Sequence, residues 1–426
     1  MTASPATSAP SQPLDAAALA AHIAADPGLS AFFGADAGRL SIREIGDGNL
    51  NFVFHVAGGG RALAIKQAMP YSRMSGGARA LTAERLSFEK LALEEFARHA
   101  PAHVPAIHHF DAERALLGQE FLSPHVIMRK GMMDGVVYPH FAAHMAAYLS
   151  ACLFATSDFA LTASDKRRKV ARFAGNVELC EITERLVFTE PFTLSDNNRW
   201  TSPELDAEAA AIRGDDVLKQ AVSALKLAFL TRSDALLHAD LHTGSIMLTE
   251  TDTRVIDPEF AVFGPMGFDI GMLIGNLFLN GFAQLAYETE PGGRAAYRRF
   301  VLGAVEEIWT GFAARFAALW RDKRTGDAYP TRLFPEAGAL EAVLARYLQD
   351  VLADALGFAG VEMIRRTLGR AHTPDYEAIT DRQRRSRSER LALRHGVMLL
   401  RAPRGGMSIT AATDAARRLL GEAPGP

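Results

Sequence analysis

The sequence predicts an α+β protein of two parts, a small N-terminal lobe that is mainly β and a large C-terminal lobe that is mainly helical. Three observations predict it. Apolar residues alternate with polar ones between Leu40 and Met69, apolar residues return at helical spacing over most of the chain after Pro124, and 426 residues exceed the size at which one core usually stops growing. We place the boundaries at 1–13 for a tail, 14–122 for the small lobe and 123–426 for the large lobe.

Composition narrows the classes of function. Hydrophobic residues at 48% and charged residues at 22% are ordinary for a soluble enzyme, and a net charge of −3 gives no electrostatic reason to expect nucleic acid. The basic run Lys166 to Lys169 and the arginines from Arg382 to Arg390 are read as solvated faces, because no aromatic residues interleave with them. Cys152 and Cys180 are too few for a disulfide framework, which favours a reducing compartment and makes the cytoplasm the expected location. The start, MTASPATSAPSQPLD, lacks a basic opening and an apolar core segment and reads as a disordered tail. The most apolar window, Ala261 to Tyr287, contains Asp269, Asn276, Asn280 and Gln284, so it reads as a buried helix and no membrane span is expected.

Taken in order, Leu14 to Ala25 is an alanine-rich helix closed by Asp26-Pro27-Gly28. Leu40 and Ile42 then alternate with polar neighbours, Gly46-Asp47-Gly48-Asn49 makes a tight turn, and Phe52, Phe54 and Val56 alternate down a returning strand. That turn is a plain hairpin tip or a glycine-rich one whose N–H groups approach phosphate oxygens. On the strand from Arg61 to Met69, Leu63 and Ile65 share one face while Ala62, Ala64 and Lys66 share the other. The small residues leave room for a nucleotide whose phosphates Lys66 could hold; the alternative is a lysine that faces solvent. A helix from Leu81 to Ala100, with Thr82 as its N-cap, carries Leu86, Glu89, Leu93 and Phe96 on one face. A carboxylate in that apolar stripe needs a partner, and Lys66 is the expected one; Glu94 or Glu95 serves if the helix is rotated. Beyond Pro124 the reading is helical, with long helices over 140–161, 215–230 and 336–356.

The densest chemistry lies in 236–275, LLHADLHTGSIMLTETDTRVIDPEFAVFGPMGFDIGMLIG. His238, Asp240, His242, Thr243, Gly244 and Ser245 are too polar to be buried in a strand without partners, so they form a loop that lines a cleft. Ile246 to Leu248 and Arg254 to Ile256 are short strands joined by a turn at Glu250 to Asp252. Asp257 and Glu259, two apart on an extended segment, point to the same side and suit Mg²⁺ beside a nucleotide. Asp240 is then free to orient an acceptor hydroxyl and take its proton. A transition-metal site on His238 and His242 is the rival reading, but Gly244 and the short strand argue against the helix it requires. His238 is read as structural, and Asp269 as the residue that ties the loop down by accepting its backbone N–H groups.

The runs HADLHTGSIM and VIDPEFAVFGPMGFDIG closely resemble the catalytic segment of the S-methyl-5-thioribose kinases. General kinases carry H-x-D-x-x-x-x-N and then D-x-G; here Ser245 stands at the asparagine position and Asp257-Pro258-Glu259 replaces D-F-G, departures that this family shares. A second segment, Glu362 to Gly369 (EMIRRTLG), matches the family's E-M-I-R-R-x-x-G, in which the paired arginines contribute to the substrate site. Adjacent helix residues lie about 100° apart, so at least one of Arg365 and Arg366 is expected to turn inward. An ordinary buried ion pair is the competing account of these arginines.

The resemblance implies a two-lobed protein-kinase-like fold, related to the aminoglycoside phosphotransferases, that uses ATP and Mg²⁺. It implies Asp240 as the base and a substrate contact, Asp257 and Glu259 as metal ligands, and Arg365 and Arg366 at the sugar. Around the nucleotide it implies Gly46, Gly48, Asn49, Lys66 and Glu89, with adenine at an inter-lobe hinge on Glu120 and Leu122. The hinge run Gln119 to Ser123 departs from the family's M-E-D-L-S at two of five positions. The implied reaction is phosphorylation of 5-methylthioribose at O1 in methionine salvage, by a homodimer. The alternatives are a sister kinase acting on 5-deoxyribose, a choline-like alcohol or an aminoglycoside, and a pseudokinase-like nucleotide-binding module. The presence of Lys66, Asp240, Asp257 and Glu259 disfavours the module.

Overall fold

The structure, a computed structural model, describes residues 12–45, 50–71, 81–334 and 336–422. The tail over 1–11 and the glycine-rich turn of Gly46, Asp47, Gly48 and Asn49 lie outside the described residues. The chain forms two compact units, one of residues 1–125 with 254–260 and one of residues 126–253 with 261–426.

In the first unit, α1 (Ala16–Ala25) begins at Asp15, whose side chain accepts from the Ala18 N–H. The expected stop at Asp26-Pro27-Gly28 is a stop and an immediate restart. Asp26 caps a second helix, α2 (Pro27–Phe33), and Pro27 sits in its first turn, where a missing N–H costs nothing. The strands β1 (Ser41–Glu44), β2 (Asn51–Gly58) and β3 (Arg61–Ala68), the helix α3 (Arg85–His99), and the strands β4 (Ile107–Asp111) and β5 (Leu116–Glu120) complete the unit. The strands form one antiparallel sheet in the order β1-β2-β3-β5-β4. Its register sets Phe54 opposite Ile65 and Val56 opposite Leu63. These four pack with Leu19, Ile23, Leu29, Phe33 and Leu116 into one core. Lys66, one residue on from Ile65, therefore leaves by the other face of the sheet. Helix α3 starts at Arg85, four residues later than expected, and Thr82 accepts from the Glu84 N–H just ahead of it. Leu86, Glu89, Leu93 and Phe96 are all buried, as the stripe predicts.

The second unit is mainly helical. It runs β6 (Val126–Ile127), α4 (Met128–Asp134), α5 (Phe141–Ala155), α6 (Ala163–Phe173), α7 (Val177–Leu186), α8 (Asp206–Gly214), α9 (Asp216–Thr231), β7 (Ala235–Leu237) and β8 (Ile246–Leu248). After β9 (Thr253–Val255), which opens the 254–260 excursion, come β10 (Val262–Gly264), α10 (Gly267–Tyr287), α11 (Ala295–Lys323), α12 (Ala337–Leu368), α13 (Pro374–Glu377), α14 (Arg382–Arg401) and α15 (Ile409–Leu420). Helix α5 stops short of Leu161 because Thr156 and Ser157 turn their hydroxyls back onto Cys152 and Phe154 carbonyls. The KRRK run is not wholly solvated. Lys166 is buried, with its ammonium on the carbonyls of Thr156 and Asp234.

Helix α10 is a core helix, 89% buried over its most apolar window. It meets α12 on Gly267, Gly271 and Gly275, where an added Cβ would lie 2.6 Å from Asp354 Cβ, 2.5 Å from the Ala355 carbonyl and 3.0 Å from the Ala359 carbonyl. Four-residue spacing puts these glycines on one helix face, and that contact fixes the level of α12 that carries Glu362, Arg365 and Arg366.

Candidate active site

In the first unit, β3 and α3 bring Lys66 and Glu89 together, with Lys66 Nζ 2.5 Å from Glu89 Oε1 and 2.6 Å from Asp257 Oδ1. Burial works against the ammonium, but Asp257 and Glu89 outweigh it and hold Lys66 above its usual range. Glu259 is buried and accepts from Asn51 Nδ2 at 2.9 Å, with Arg85 Nε 3.5 Å away. Arg85 has no exposed surface and donates to the Leu50, Met69 and Thr82 carbonyls and to Asn51 Oδ1. Sequence reasoning missed Asn51 and Arg85. The available signal was spacing, since Arg85 stands four residues before Glu89 and shares its helix face.

The expected extended segment is corrected at Asp257, whose φ of 71° is left-handed, a region that Asp tolerates better than most residues. The carboxylates of Asp257 and Glu259 converge through that turn and not through strand alternation. With Glu89 they form, among the described residues, the one group of His, Cys, Asp or Glu side chains able to hold a metal, their ligand atoms all within 4.8 Å of one another. Burial and then the charge of Asp257 push Glu259 up, while burial raises Glu89 against the pull of Lys66. Crowded, all-oxygen, partly compensated carboxylates fit a hard divalent cation of the Mg²⁺ kind. No such group forms around His238 and His242 among the described residues. At the end of β5 the Glu120 N–H donates to the Ala106 carbonyl and the Glu120 carboxylate accepts from the Ala106 N–H, while Leu122 is buried.

In the second unit, β7 delivers the chain to His238. Asp269, in the first turn of α10, accepts from the N–H groups of His238 at 2.7 Å and Ala239 at 2.9 Å, tying the loop down as its sequence context indicates. The Asp240 N–H donates to His238 Nδ1, and Ser245 Oγ donates to the Asp240 carbonyl at 3.0 Å, so the residue at the asparagine position locks the loop from within. His242 Nδ1 accepts from the Gly244 N–H at 2.9 Å, which leaves the ring proton on Nε2, 3.4 Å from Asp240 Oδ2.

Both arginines turn inward. Arg365 Nη2 and Arg366 Nη2 lie 3.6 and 3.7 Å from Asp240 Oδ1, and each Nε donates to Glu362, that of Arg366 at 2.8 Å. Burial pushes the Asp240 carboxyl up, but His242, Arg366 and Arg365 outweigh it and hold it well below the usual carboxylate range. His242 is itself pushed down to about 4, chiefly by burial, so its imidazole is neutral at pH 7 and the two guanidiniums are the cations that keep Asp240 ionised. Asp240 keeps 30% of its side chain exposed, enough for a hydroxyl to reach it. Sequence reasoning also missed Arg129, which donates to Thr243 Oγ1 at 3.0 Å and Asn276 Oδ1 at 3.2 Å. Next to Lys130 it reads as one more solvated charge, and nothing in its sequence context marks it. The structure thus gathers Lys66, Glu89, Asp257 and Glu259 in one unit and Asp240, Arg365 and Arg366 in the other, while Gly46, Gly48 and Asn49 lie outside the described residues.

The class follows from sequence as well as architecture: the profile of the phosphotransferase enzyme family matches residues 41–301, most of the small unit and the catalytic loop included. Curated relatives narrow the class. Methylthioribose kinase 1 of Oryza sativa subsp. japonica is 43% identical over 401 residues, 93% of each chain. Methylthioribose kinases of Escherichia coli O45:K1 and Bacillus cereus AH820 are each 41% identical, over 83% and 84% of this chain and 84% and 86% of theirs. The chain belongs to the methylthioribose kinase family, and its fold is α+β.

Proposed function

We propose that this chain transfers the γ-phosphoryl group of ATP to O1 of 5-methylthioribose, giving 5-methylthioribose 1-phosphate and ADP in methionine salvage. The observation that carries the reading is Asp240, ionised, open on one edge and faced by the two guanidiniums that Glu362 holds. The sugar O1–H donates to Asp240, the O1–P bond forms as the bond from the γ-phosphorus to its bridging oxygen breaks, and the proton passes to the carboxylate. A carboxyl held this far down is a weak base, so its main contribution is to aim O1, which suits a loose transition state in which proton transfer is late. Arg365 and Arg366 meet the charge that spreads onto the transferred oxygens.

On this reading Lys66, fixed by Glu89, holds the α- and β-phosphates, and Glu120 and Leu122 hold adenine through the backbone. Gly46, Gly48 and Asn49, outside the described residues, would contact the phosphates on the same reading. Asp257 and Glu259 would hold Mg²⁺, which would supply positive charge against that of the phosphates. The reading carries with it a homodimer in the cytoplasm, the latter supported by two cysteines that are both free. The test is the product. Incubation with ATP and 5-methylthioribose should give one phosphate monoester whose ³¹P resonance is split by the anomeric proton, and an ester at O2 or O3, or ADP release without an ester, contradicts the proposal.

A further inference from the structure

We infer that Arg129 and Asn276 are positioning residues for phosphoryl transfer, closing a circuit of polar contacts that holds the Asp240 loop and the arginine pair in register. The inference rests on the roles just given to Asp240, Arg365 and Arg366. Arg129, in the first turn of α4, grips one loop residue twice. Its backbone N–H donates to the Thr243 carbonyl at 3.0 Å and its Nε to Thr243 Oγ1 at 3.0 Å. Its Nη2 donates to Asn276 Oδ1 on α10 at 3.2 Å, and Asn276 Nδ2 in turn donates to Glu362 Oε1 on α12 at 2.7 Å. Glu362 carries the Nε groups of both Arg365 and Arg366, whose outer nitrogens face Asp240. The path therefore leaves Asp240 along its own loop and returns to it through three elements.

The circuit is built to be stiff. Thr243, Asn276 and Glu362 are buried, and Asp375, 3.4 Å from Arg129 Nε, sets an opposite charge beside the guanidinium. Asp375 is itself fixed by Asn280 Nδ2 at 2.7 Å and Thr373 Oγ1 at 2.5 Å. A Cβ at Gly244 would lie 2.9 Å from Arg129 Nη1, so the guanidinium lies directly against the loop backbone. The need for such a device follows from the distances. Contacts of 3.6 and 3.7 Å between the arginine pair and Asp240 are longer than hydrogen bonds and do not fix direction by themselves. Asn276 supplies an acceptor to Arg129 and a donor to Glu362, a combination that aspartate of the same shape lacks.

The test compares Asn276→Asp, Arg129→Ala, Arg129→Lys and Asp240→Asn by steady-state kinetics and thermal melting. Asn276→Asp keeps the shape but turns an acceptor toward Glu362, and with Arg129→Ala it should lower kcat by roughly tenfold or more, with KM for ATP within about twofold of the parent. Millimolar methylguanidinium should restore several-fold of the Arg129→Ala turnover and none of the Asp240→Asn turnover, and Arg129→Lys, which keeps the charge but not the fork, should stay low. Unchanged kcat, absence of that rescue, or turnover lost only in proportion to folded protein overturns the positioning role. If Asp240→Asn itself keeps near-normal turnover, the underlying reading of the site fails; if it alone is inactive, only the circuit does.

Discussion

A half-buried carboxylate beside two guanidiniums and a neutral imidazole keeps its charge at neutral pH, and on the proposed reading Asp240 therefore directs the acceptor hydroxyl more than it takes the proton. Asp240→Asn keeps the shape and removes the charge. Turnover should fall by roughly two to four orders of magnitude while ATP binding, measured by calorimetry, stays nearly intact. Glu259→Ala should instead raise the Mg²⁺ concentration needed for half-maximal activity, because on the proposed reading it deletes a ligand and leaves Asp240 in place. An unchanged metal titration removes Glu259 from the ligand set. At this scale the sequence is legible where a residue type conflicts with its surroundings. Glu89 in an apolar stripe demands a cation and finds Lys66, and Asp269 at the head of an apolar helix demands backbone donors and finds two. Arg129 and the left-handed turn at Asp257 raise no such conflict. A surface-like Arg-Lys pair and the sign of one φ angle are settled by tertiary contacts that local pattern does not contain.

Helices α10 and α12 show the same division between elements. Their existence is legible from apolar periodicity, although α12 continues well past Leu356 to Leu368 and so places the arginine pair on the same rigid helix as its core contacts. The closeness of their packing was also encoded, in the four-residue spacing of Gly267, Gly271 and Gly275, a signal that reading the segment for its aspartate passes over. Gly271→Ala would set a methyl 2.5 Å from the Ala355 carbonyl and 2.6 Å from Phe358 Cβ. Such overpacking should cost roughly 1–3 kcal/mol in denaturant unfolding and lower kcat by moving Glu362 away from Asn276. Wild-type stability in that variant contradicts the close approach. In the small unit, Asp26-Pro27-Gly28 was legible as a helix end but not as a helix start, because the aspartate that closes α1 also caps α2.

Across the whole molecule, acid should unfold the chain earlier than its carboxylates alone require. Burial pushes His242 and His372 down to about 4 and His395, packed against Phe278 and Phe282, down to about 3, from an ordinary value of 6.5. Between about pH 6.5 and pH 4 the unfolded chain takes up these protons and the folded chain does not, so stability falls as pH drops through that window. His395→Phe should flatten the fall in a melting-temperature profile; an identical profile assigns the acid sensitivity elsewhere.

The choice of sugar turns on its C5 substituent. A thioether methyl at C5 is apolar and polarisable, so a site made for it desolvates a ribose 5-hydroxyl without supplying a partner. That loss is worth on the order of 1–3 kcal/mol, a roughly tenfold to hundredfold drop in kcat/KM, and 5-deoxyribose, which lacks only the thiomethyl, should fall between. The direct measurement is kcat/KM for ATP-dependent phosphorylation of 5-methylthioribose, 5-deoxyribose and ribose under one set of conditions. Values that descend in that order are expected, and a preference for ribose, for choline or for an aminoglycoside would contradict the assignment.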